Sequence, residues 1–502
     1  MAPHFPILQI IVPLLAAPLA AMSLLFGQVR MRHLAWGVTT LSLAIAFFIS
    51  LALFVQVQSG GTISYALGDW QAPIGIVYIV DSASSFILPL ICGIALVATL
   101  FAPRLLKDEI SLHDQPIFYT LWLLTIAGML GQVITGDAFN IFVFLEITSL
   151  SAYALIALGV GRDRRALPAA FNYLILGTLG ATFYVIGIGL LYMLTGTLNL
   201  DDLATRLPAL ADNNAAAAAL AFISIGLFLK MALFPLHFWL VPAYGYAPSI
   251  VSVLLAATAT KVSVYVLIRF LFGVFGVEFD GIATLGSVII LLGVLGALVG
   301  TLAAIFERDI KRLLAQSSIA QLGYMAIGIG LMSHAGLTAA FIHLFNHALM
   351  KGALFIGLGA LGLGLLGTKK ARLTLDNIRG AGRAAPITMA GILIGGLALI
   401  GVPLTAGFIS KLYLIRATID ADLWATTALI ALSSVLALVY VWKIVEAAWL
   451  QPPTTEIVIG QEKIYHWLPV WIFVAATIGF GIYATPLIEA AQAAASLFVE
   501  NK

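Results

Sequence analysis

Residues 230–261 read KMALFPLHFWLVPAYGYAPSIVSVLLAATATK. Lys230 opens the stretch, Lys261 closes it, and Pro235, Pro242 and Pro248 fall between them. Both lysines sit in apolar runs of hydrocarbon length, where an ionised side chain costs roughly 2.5–3.5 kcal/mol on insertion scales. The prolines have no N–H to give a helix ladder, so they are expected to interrupt it and leave backbone carbonyls unpaired. Two buried cations beside a broken helix do nothing for the stability of an apolar bundle. The pattern points to a path for ions or protons through a membrane protein.

Composition agrees. Of 502 residues, 62% are hydrophobic and 10% charged, too apolar for a soluble enzyme of this length. The basic residues fall in short loops without a basic face, so no nucleic-acid partner is expected. Cys92 is the single cysteine, which excludes intrachain disulfides and cysteine-cluster metal sites. The N-terminus has no basic n-region, and residues 5–26 are long enough to span a bilayer, so they read as a retained helix rather than a signal peptide.

A bilayer-length window predicts an all-α polytopic membrane protein with about fourteen spans. They centre near residues 17, 45, 92, 126, 149, 180, 225, 260, 294, 321, 350, 400, 435 and 478. The seventh is expected to break at Pro235, the twelfth at Pro403 in Gly401-Val402-Pro403-Leu404-Thr405-Ala406-Gly407. Residues 60–80, with Gly60, Gly61, Gly68 and Pro73, read as a small surface hairpin. No polar insertion is long enough for a soluble domain.

Charge alternates with the count. Loops after odd-numbered spans carry Arg30 and Arg32; Arg104 and Lys107; Arg162, Arg164 and Arg165; Arg308, Lys311 and Arg312; and Lys369, Lys370, Arg372, Arg379 and Arg383. Loops after even-numbered spans carry Asp69, Asp137, Asp201, Asp202, Asp212, Glu278, Asp280, Asp420 and Asp422. The positive-inside rule then puts both termini outside the cytoplasm. The two breaks lie five spans apart, and an odd offset makes the copies run in opposite directions. The expected division is residues 1–115 (helices 1–3 with the hairpin), 116–272 (first inverted repeat), 282–450 (second repeat) and 451–502 (helix 14 and the C-terminus).

The other intramembrane polar residues gather around the breaks. Glu146, mid-span in FNIFVFLEITSLSAYAL, is the counter-charge expected for Lys230. A carboxylate within hydrogen-bond reach favours a protonated lysine, so a pair that opens and closes is a proton switch; the competing reading is a static ion pair that fixes helix packing. His343, His347 and Lys351, in HLFNHALMK, are spaced by four and share one helical face. With Lys261 and Lys411 they make a polar wire along the midplane, unless the histidines only hydrogen-bond neighbouring helices or water. The H-x-x-x-H spacing is a weak zinc signal, because Leu344 stands where a metalloprotease has its glutamate. His237 reads equally as a relay or as a cap for freed carbonyls. Asp309, Lys311 and Arg312 read as anchors at the cytoplasmic surface. Gly362, Gly364 and Gly367 match G-x-G-x-x-G by letters only, since no strand precedes them, and the many other glycines read as close helix packing.

On these residues the chain resembles a family. KMALFPLHFWL and VSVLLAATATKVSVYVLIR are similar to the seventh and eighth helices of the antiporter-like subunits shared by respiratory complex I (NADH:quinone oxidoreductase), Mrp-type Na+/H+ antiporters and membrane-bound hydrogenases. ERDIKRLLAQSSIAQLGYM, HLFNHALMKGALF, GVPLTAGFISK and GDAFNIFVFLEITSLSAYALIA carry the likeness through the rest of the chain. The resemblance implies a fourteen-helix core with inverted repeats that translocates protons, with Na+ or K+ as a second ion. It gives Glu146 the role of the fifth-helix glutamate and Lys230 that of its seventh-helix partner. Lys261 matches the eighth-helix lysine, His343 and His347 the eleventh-helix histidines, and Lys411 the terminal twelfth-helix residue.

That last position is glutamate in one class of complex I subunit, so lysine argues against that class. Trp239-Leu240-Val241-Pro242 departs from the family's tryptophan-leucine-proline by one residue, which puts the half-helix geometry in doubt. Length and wording look most like the Mrp antiporter component of D type, or its counterpart in ion-translocating hydrogenases. The implied partners are other membrane subunits of a hetero-oligomer in a bacterial or archaeal cell membrane. No cofactor, no metal and no catalytic chemistry are expected in the chain. The rivals are a proton-pumping subunit of a redox complex and a scaffold whose polar residues serve only packing.

Overall fold

The computed structural model describes residues 2–25, 28–107, 109–364, 373–453 and 462–499. Lys369, Lys370 and Arg372 of the basic loop, and Gly367, lie outside the described residues. The chain begins with α1 (Phe5–Met22) and α2 (Gln28–Gly60). Strands β1 (Ile63–Ala66) and β2 (Val77–Val80) then pair antiparallel, Ile63 opposite Val80, as the glycine- and proline-rich stretch predicts. The hairpin leads into α3 (Ser82–Leu105), whose N-cap Asp81 accepts hydrogen bonds from the backbone N–H groups of Ala83 (3.1 Å) and Ser84 (2.8 Å).

Short capped turns join the next elements. Helix α4 (Gln115–Ile134) is followed by α5 (Ala138–Ala157), where Asp137 accepts from Asn140 N at 2.7 Å. Helix α6 (Ala166–Thr195) stops at Gly196, left-handed at φ 72°. The short α7 (Leu200–Arg206) precedes α8 (Asn214–Met231) and α9 (Leu240–Tyr246). Helices α10 (Ser249–Leu254) and α11 (Thr260–Ile268) form one span with a π-helical turn between them, Leu255–Ala259, and another after them, Arg269–Phe275. There follow α12 (Ile282–Phe306), α13 (Ile310–Gly330), α14 (His334–Gly364), α15 (Ala381–Ala384), α16 (Pro386–Ile400) and α17 (Ala406–Asp420). The described chain closes with α18 (Trp424–Val445), the π-turn Glu446–Leu450, α19 (Ile464–Ile482) and α20 (Thr485–Val499).

Among the described residues, 12 helical segments are long and apolar enough to cross a bilayer. Their burial inverts the pattern of a soluble protein. Ser249–Phe275 and His334–Gly362, which carry Lys261, His343 and His347, are almost wholly buried, whereas no more than about a third of Trp424–Leu450 and Ile464–Ile482 is buried. Phe48, Phe171 and Val435 point outward from the bundle, as a lipid-facing surface requires.

Small residues set the helix spacing, as expected for packing between membrane helices. A Cβ added at Gly323 of α13 would stand 2.4 Å from the Gly293 carbonyl of α12, and one at Gly293 would stand 2.7 Å from the Gly323 carbonyl. Gly180 of α6 and Gly226 of α8 face each other in the same way. Overpacking of this kind costs typically about 1–3 kcal/mol. Gly323→Val is therefore expected to lower the thermal stability and membrane level of the chain, while Gly189→Ala, with open space around it, leaves both unchanged; detergent-solubilised thermal unfolding of the two variants checks this.

Candidate functional site

The first break is built as the sequence predicts at Pro235 and Pro248 and differently at Pro242. Helix α8 ends at Met231, with Ala232 left-handed at φ 61° and ψ 42°. The carbonyls released there are satisfied: Phe228 O accepts from Leu233 N (2.9 Å) and Leu229 O from the Trp239 indole Nε1 (2.9 Å). Pro242 lies in the first turn of α9 and Pro248 is the N-cap of α10, positions where a helix has no N–H to lose. Pro235 and Pro248 both fall in breaks of the ladder, the latter between α9 and α10 where Ala247 is extended, whereas Pro242 does not interrupt; the expectation for Pro242, and that carbonyls stay unpaired, is corrected. The proline shift at Trp239-Leu240-Val241-Pro242 is accommodated for the same reason.

Lys230 is buried on the last turn of α8. Its Nζ lies 3.4 Å from Glu146 Oε1 of α5 and donates to Ser149 Oγ at 2.8 Å. The ammonium is thus held between a carboxylate and a hydroxyl one turn away, with the hydroxyl nearer. Ser149 escapes a reading that looks for charge; its only signal is its i+3 spacing from Glu146.

Lys261 is buried beside the π-turn Leu255–Ala259 and donates to the Ala256 carbonyl and to Thr260 Oγ1 (3.4 Å). It lies within electrostatic reach of His343, His347 and Lys351 on α14. The His343 and His347 rings are parallel, 3° apart with centroids 5.9 Å apart, as four-residue spacing dictates. Neither ring nitrogen of either histidine has a well-aligned protein hydrogen-bond partner; the Gln321 backbone is near His343 without good geometry. Buried polar atoms of this kind call for water. Lys351, one turn further along, donates to Leu314 O and Ser317 Oγ of α13, both at 2.6 Å.

Lys411 stands across the second break. Helix α16 ends at Gly401, left-handed at φ 91° and ψ 42°, Pro403 lies in the gap, and α17 starts at Ala406. Lys411 Nζ donates to the freed carbonyls of Leu399 (2.9 Å) and Ile400 (2.8 Å) and sits 5.1 Å from the centre of the Tyr324 ring. Tyr324 in turn packs edge-on against His343 at 5.7 Å and donates to Ser433 Oγ at 2.8 Å. Tyr324 and Asn346, which donates to Ala406 O (2.8 Å) and Ser410 Oγ (2.9 Å), are site residues that sequence reasoning missed. Both lie inside the family-like motifs, but an uncharged side chain gives no signal until its neighbours are known.

His237 is placed apart. It is half-buried in the break and stacks between Phe234 (5.3 Å) and Phe238 (4.9 Å). Lys311 corrects the surface-anchor reading: it is buried and donates to Ala247 O at 2.7 Å, near Glu109. Glu109, also buried, accepts from Arg162 and from Ser249 N (2.6 Å) at the start of α10. Asp309 caps α13 through Arg312 N (3.1 Å).

Comparison with known proteins matches this architecture. Residues 135–437 match the family described as NADH:quinone oxidoreductase/Mrp antiporter, TM. The N component of the NADH-quinone oxidoreductase of Desulforudis audaxviator is 39% identical over 452 residues, 90% of this chain and 87% of the relative. The D component of the Na(+)/H(+) antiporter of Alkalihalophilus pseudofirmus is 29% identical over 444 residues, covering 88% and 87%. A chain in the structure of the Mrp complex from Dietzia sp. superposes with a TM-score of 0.89 at 24% identity, covering 99% of this chain and 97% of its own.

The indole of Trp239 is a structural part of the first break. Trp239→Phe removes the indole donor and leaves the Leu229 carbonyl only the Ala232 N–H at 3.2 Å, a loss of about 1 kcal/mol. A lower melting temperature in the solubilised protein is the expected result, with no comparable drop for Phe238→Leu, whose side chain is exposed.

Proposed function

Because the chain belongs to the NADH:quinone oxidoreductase/Mrp antiporter transmembrane family, we propose that it is the proton-translocating, D-type component of a multisubunit Na+ or K+/H+ antiporter. The observation that carries this is one polar series, the partly buried Glu146 followed by the buried Lys230, Lys261, His347, His343, Tyr324 and Lys411, in a largely apolar bundle. Its partners are the other membrane subunits of such an assembly, as the names of its relatives suggest for those proteins.

The mechanism is charge coupling. Moving Lys230 from Glu146 to Ser149 changes the proton affinity of Lys230, and two unit charges about 4 Å apart interact by roughly 4 kcal/mol at an effective dielectric of 20. The change is passed to Lys261, then along the stacked histidines and water to Lys411. In this reading α13 and the broken pair α16 and α17 cross the membrane as well, making fourteen crossings in two inverted repeats, with both termini outside the cytoplasm. Support comes from matching irregularities: left-handed caps with ψ 42° at Ala232 and Gly401, and π-turns that end the spans at Arg269–Phe275 and Glu446–Leu450. His237 stays outside the series, as a residue of the break.

The 39% identity to the N component of a quinone oxidoreductase favours a second reading, a proton pump that a redox partner drives. Both readings use the same residues, and the driving force separates them. In everted vesicles of a host without its own antiporters, expressing the chain with its operon neighbours, Na+ or K+ is expected to dissipate a pH gradient. Lys411→Ala should abolish that signal. Gradient formation on an electron donor, with no cation-dependent dissipation, would establish the redox-driven reading instead.

A second expectation concerns the switch. Glu146→Gln or Lys230→Ala should reduce transport at least tenfold while the protein stays folded in the membrane. Near-normal transport in either removes the pair from the mechanism.

A further inference from the structure

A second buried ion pair lies on the lysine-bearing span, away from the axis. Arg269 is two helical turns after Lys261, and Tyr265 lies between them, so the three share one face. Eight residues of helix place Arg269 about 12 Å along the axis from Lys261. The Arg269 guanidinium donates to Asp81 Oδ2 at 2.5 Å and, through Nε, to the Tyr265 hydroxyl at 2.6 Å. The Tyr265 hydroxyl donates to Val133 O at 2.8 Å. Tyr265 and Asp81 are buried.

This chain of groups ends at a cavity. Ile79, Thr135, Asp201, Arg269 and Gly273 line it, beneath α7. It leaves about 40 Å³ for water positions, enough for roughly three or four molecules at about 10–15 Å³ each. Asp201 lies at its rim, close enough to Arg269 and Asp81 for their charges to act on it. Burial lifts the Asp201 carboxyl above its ordinary value, and Arg269 partly opposes this. The π-turn Arg269–Phe275 packs against α7 and forms the floor.

We propose that this cavity is a port of the first half of the chain, through which protons held at Lys261 exchange with water on the α7 side, with Tyr265 as relay and the Arg269–Asp81 pair as gate. The proposal rests on the translocation reading above. In the arrangement seen, the port is shut at both ends: Arg269 holds Asp81, and Lys261 points away toward Ala256 O. When both contacts open, the Lys261 ammonium gives a proton to the Tyr265 oxygen as the Tyr265 hydroxyl proton passes to the Asp81 carboxylate. Lys261 is left as an amine, Tyr265 is again a phenol and Asp81 is a carboxylic acid. Asp81 then yields the proton to cavity water beside Asp201 and re-forms its pair with Arg269. The fixed guanidinium at the floor repels Na+ and K+, so the port selects protons, which need no ion to pass the arginine.

The test uses the assembled complex in vesicles of both orientations, with proton flux as the readout. Gly273→Cys places a thiol in the cavity, where an added Cβ meets only the Phe498 ring at 3.5 Å, and Cys92, fully buried, supplies the unreactive parent control. A membrane-impermeant cationic thiol reagent is expected to cut the flux of Gly273→Cys at least fivefold from one face only, without effect on the parent. Tyr265→Phe should lower flux at least tenfold with normal assembly. A Gly273→Cys protein that is fully labelled by mass yet transports as before overturns the port, and parental flux in Tyr265→Phe overturns the relay. A parent complex without proton flux would remove the translocation reading itself, and the port with it.

Discussion

Every buried cation in this bundle must be solvated by the protein, and that requirement shapes the backbone. Lys261, Lys351 and Lys411 are held by main-chain carbonyls: Ala256 O, Leu314 O, and Leu399 O with Ile400 O. In a regular helix each carbonyl already accepts from the N–H four residues on, so a lysine there is an added donor, as Lys351 is to Leu314 O of α13. The chain releases acceptors by departing from that ladder, with a π-turn beside Lys261 and a full break beside Lys411. The irregular segments are therefore the ligands of Lys261 and Lys411, and these lysines in turn keep the irregular segments from leaving carbonyls unpaired in hydrocarbon.

The lysine-bearing central span is also fixed at its ends. Its first residue, Ser249, gives its N–H to the buried carboxylate of Glu109, which Arg162 balances. Its far end is tied by Arg269 to Asp81, the N-cap of α3. Between these clamps the span is buried on nearly all sides. Close glycine contacts at Gly293 and Gly323, and at Gly180 and Gly226, hold the surrounding helices at a fixed spacing. A rigid frame with a polar interior suits small side-chain movements rather than large helix motions.

The parts legible in the sequence were those written in long-range composition. Hydrocarbon-length runs, Pro235 and Pro403, and the glycine-rich hairpin each carry a local cause for the structure they form. The charged members of the proposed series were equally visible, because Glu146, Lys230 and Lys411 have no cheap place in an apolar segment. What stayed hidden was neutral or paired. Ser149, Tyr324 and Asn346 are common residues whose roles exist only through a neighbour from another helix. Pro242 misled because proline in the first turn of a helix and proline in a helix interior look alike until the boundary is known. Arg269 and Glu109 hide for another reason: each finds its counter-charge far along the chain, at Asp81 and Arg162.

The two breaks are alike in form and unlike in charge, and this separates their roles. Lys230 precedes its break and faces a carboxylate at 3.4 Å and a hydroxyl at 2.8 Å, two partners of different charge on one helix. Lys411 follows its break and faces two carbonyls and an aromatic ring, partners that carry no net charge. Moving Lys230 between its partners changes the field by a full ion-pair interaction; moving Lys411 among its own changes it little. An input that acts through charge must therefore act on the first break. The second break, whose lysine is solvated by dipoles alone, has His343 within electrostatic reach, so in the proposed translocation it is suited to receive the signal rather than to originate it.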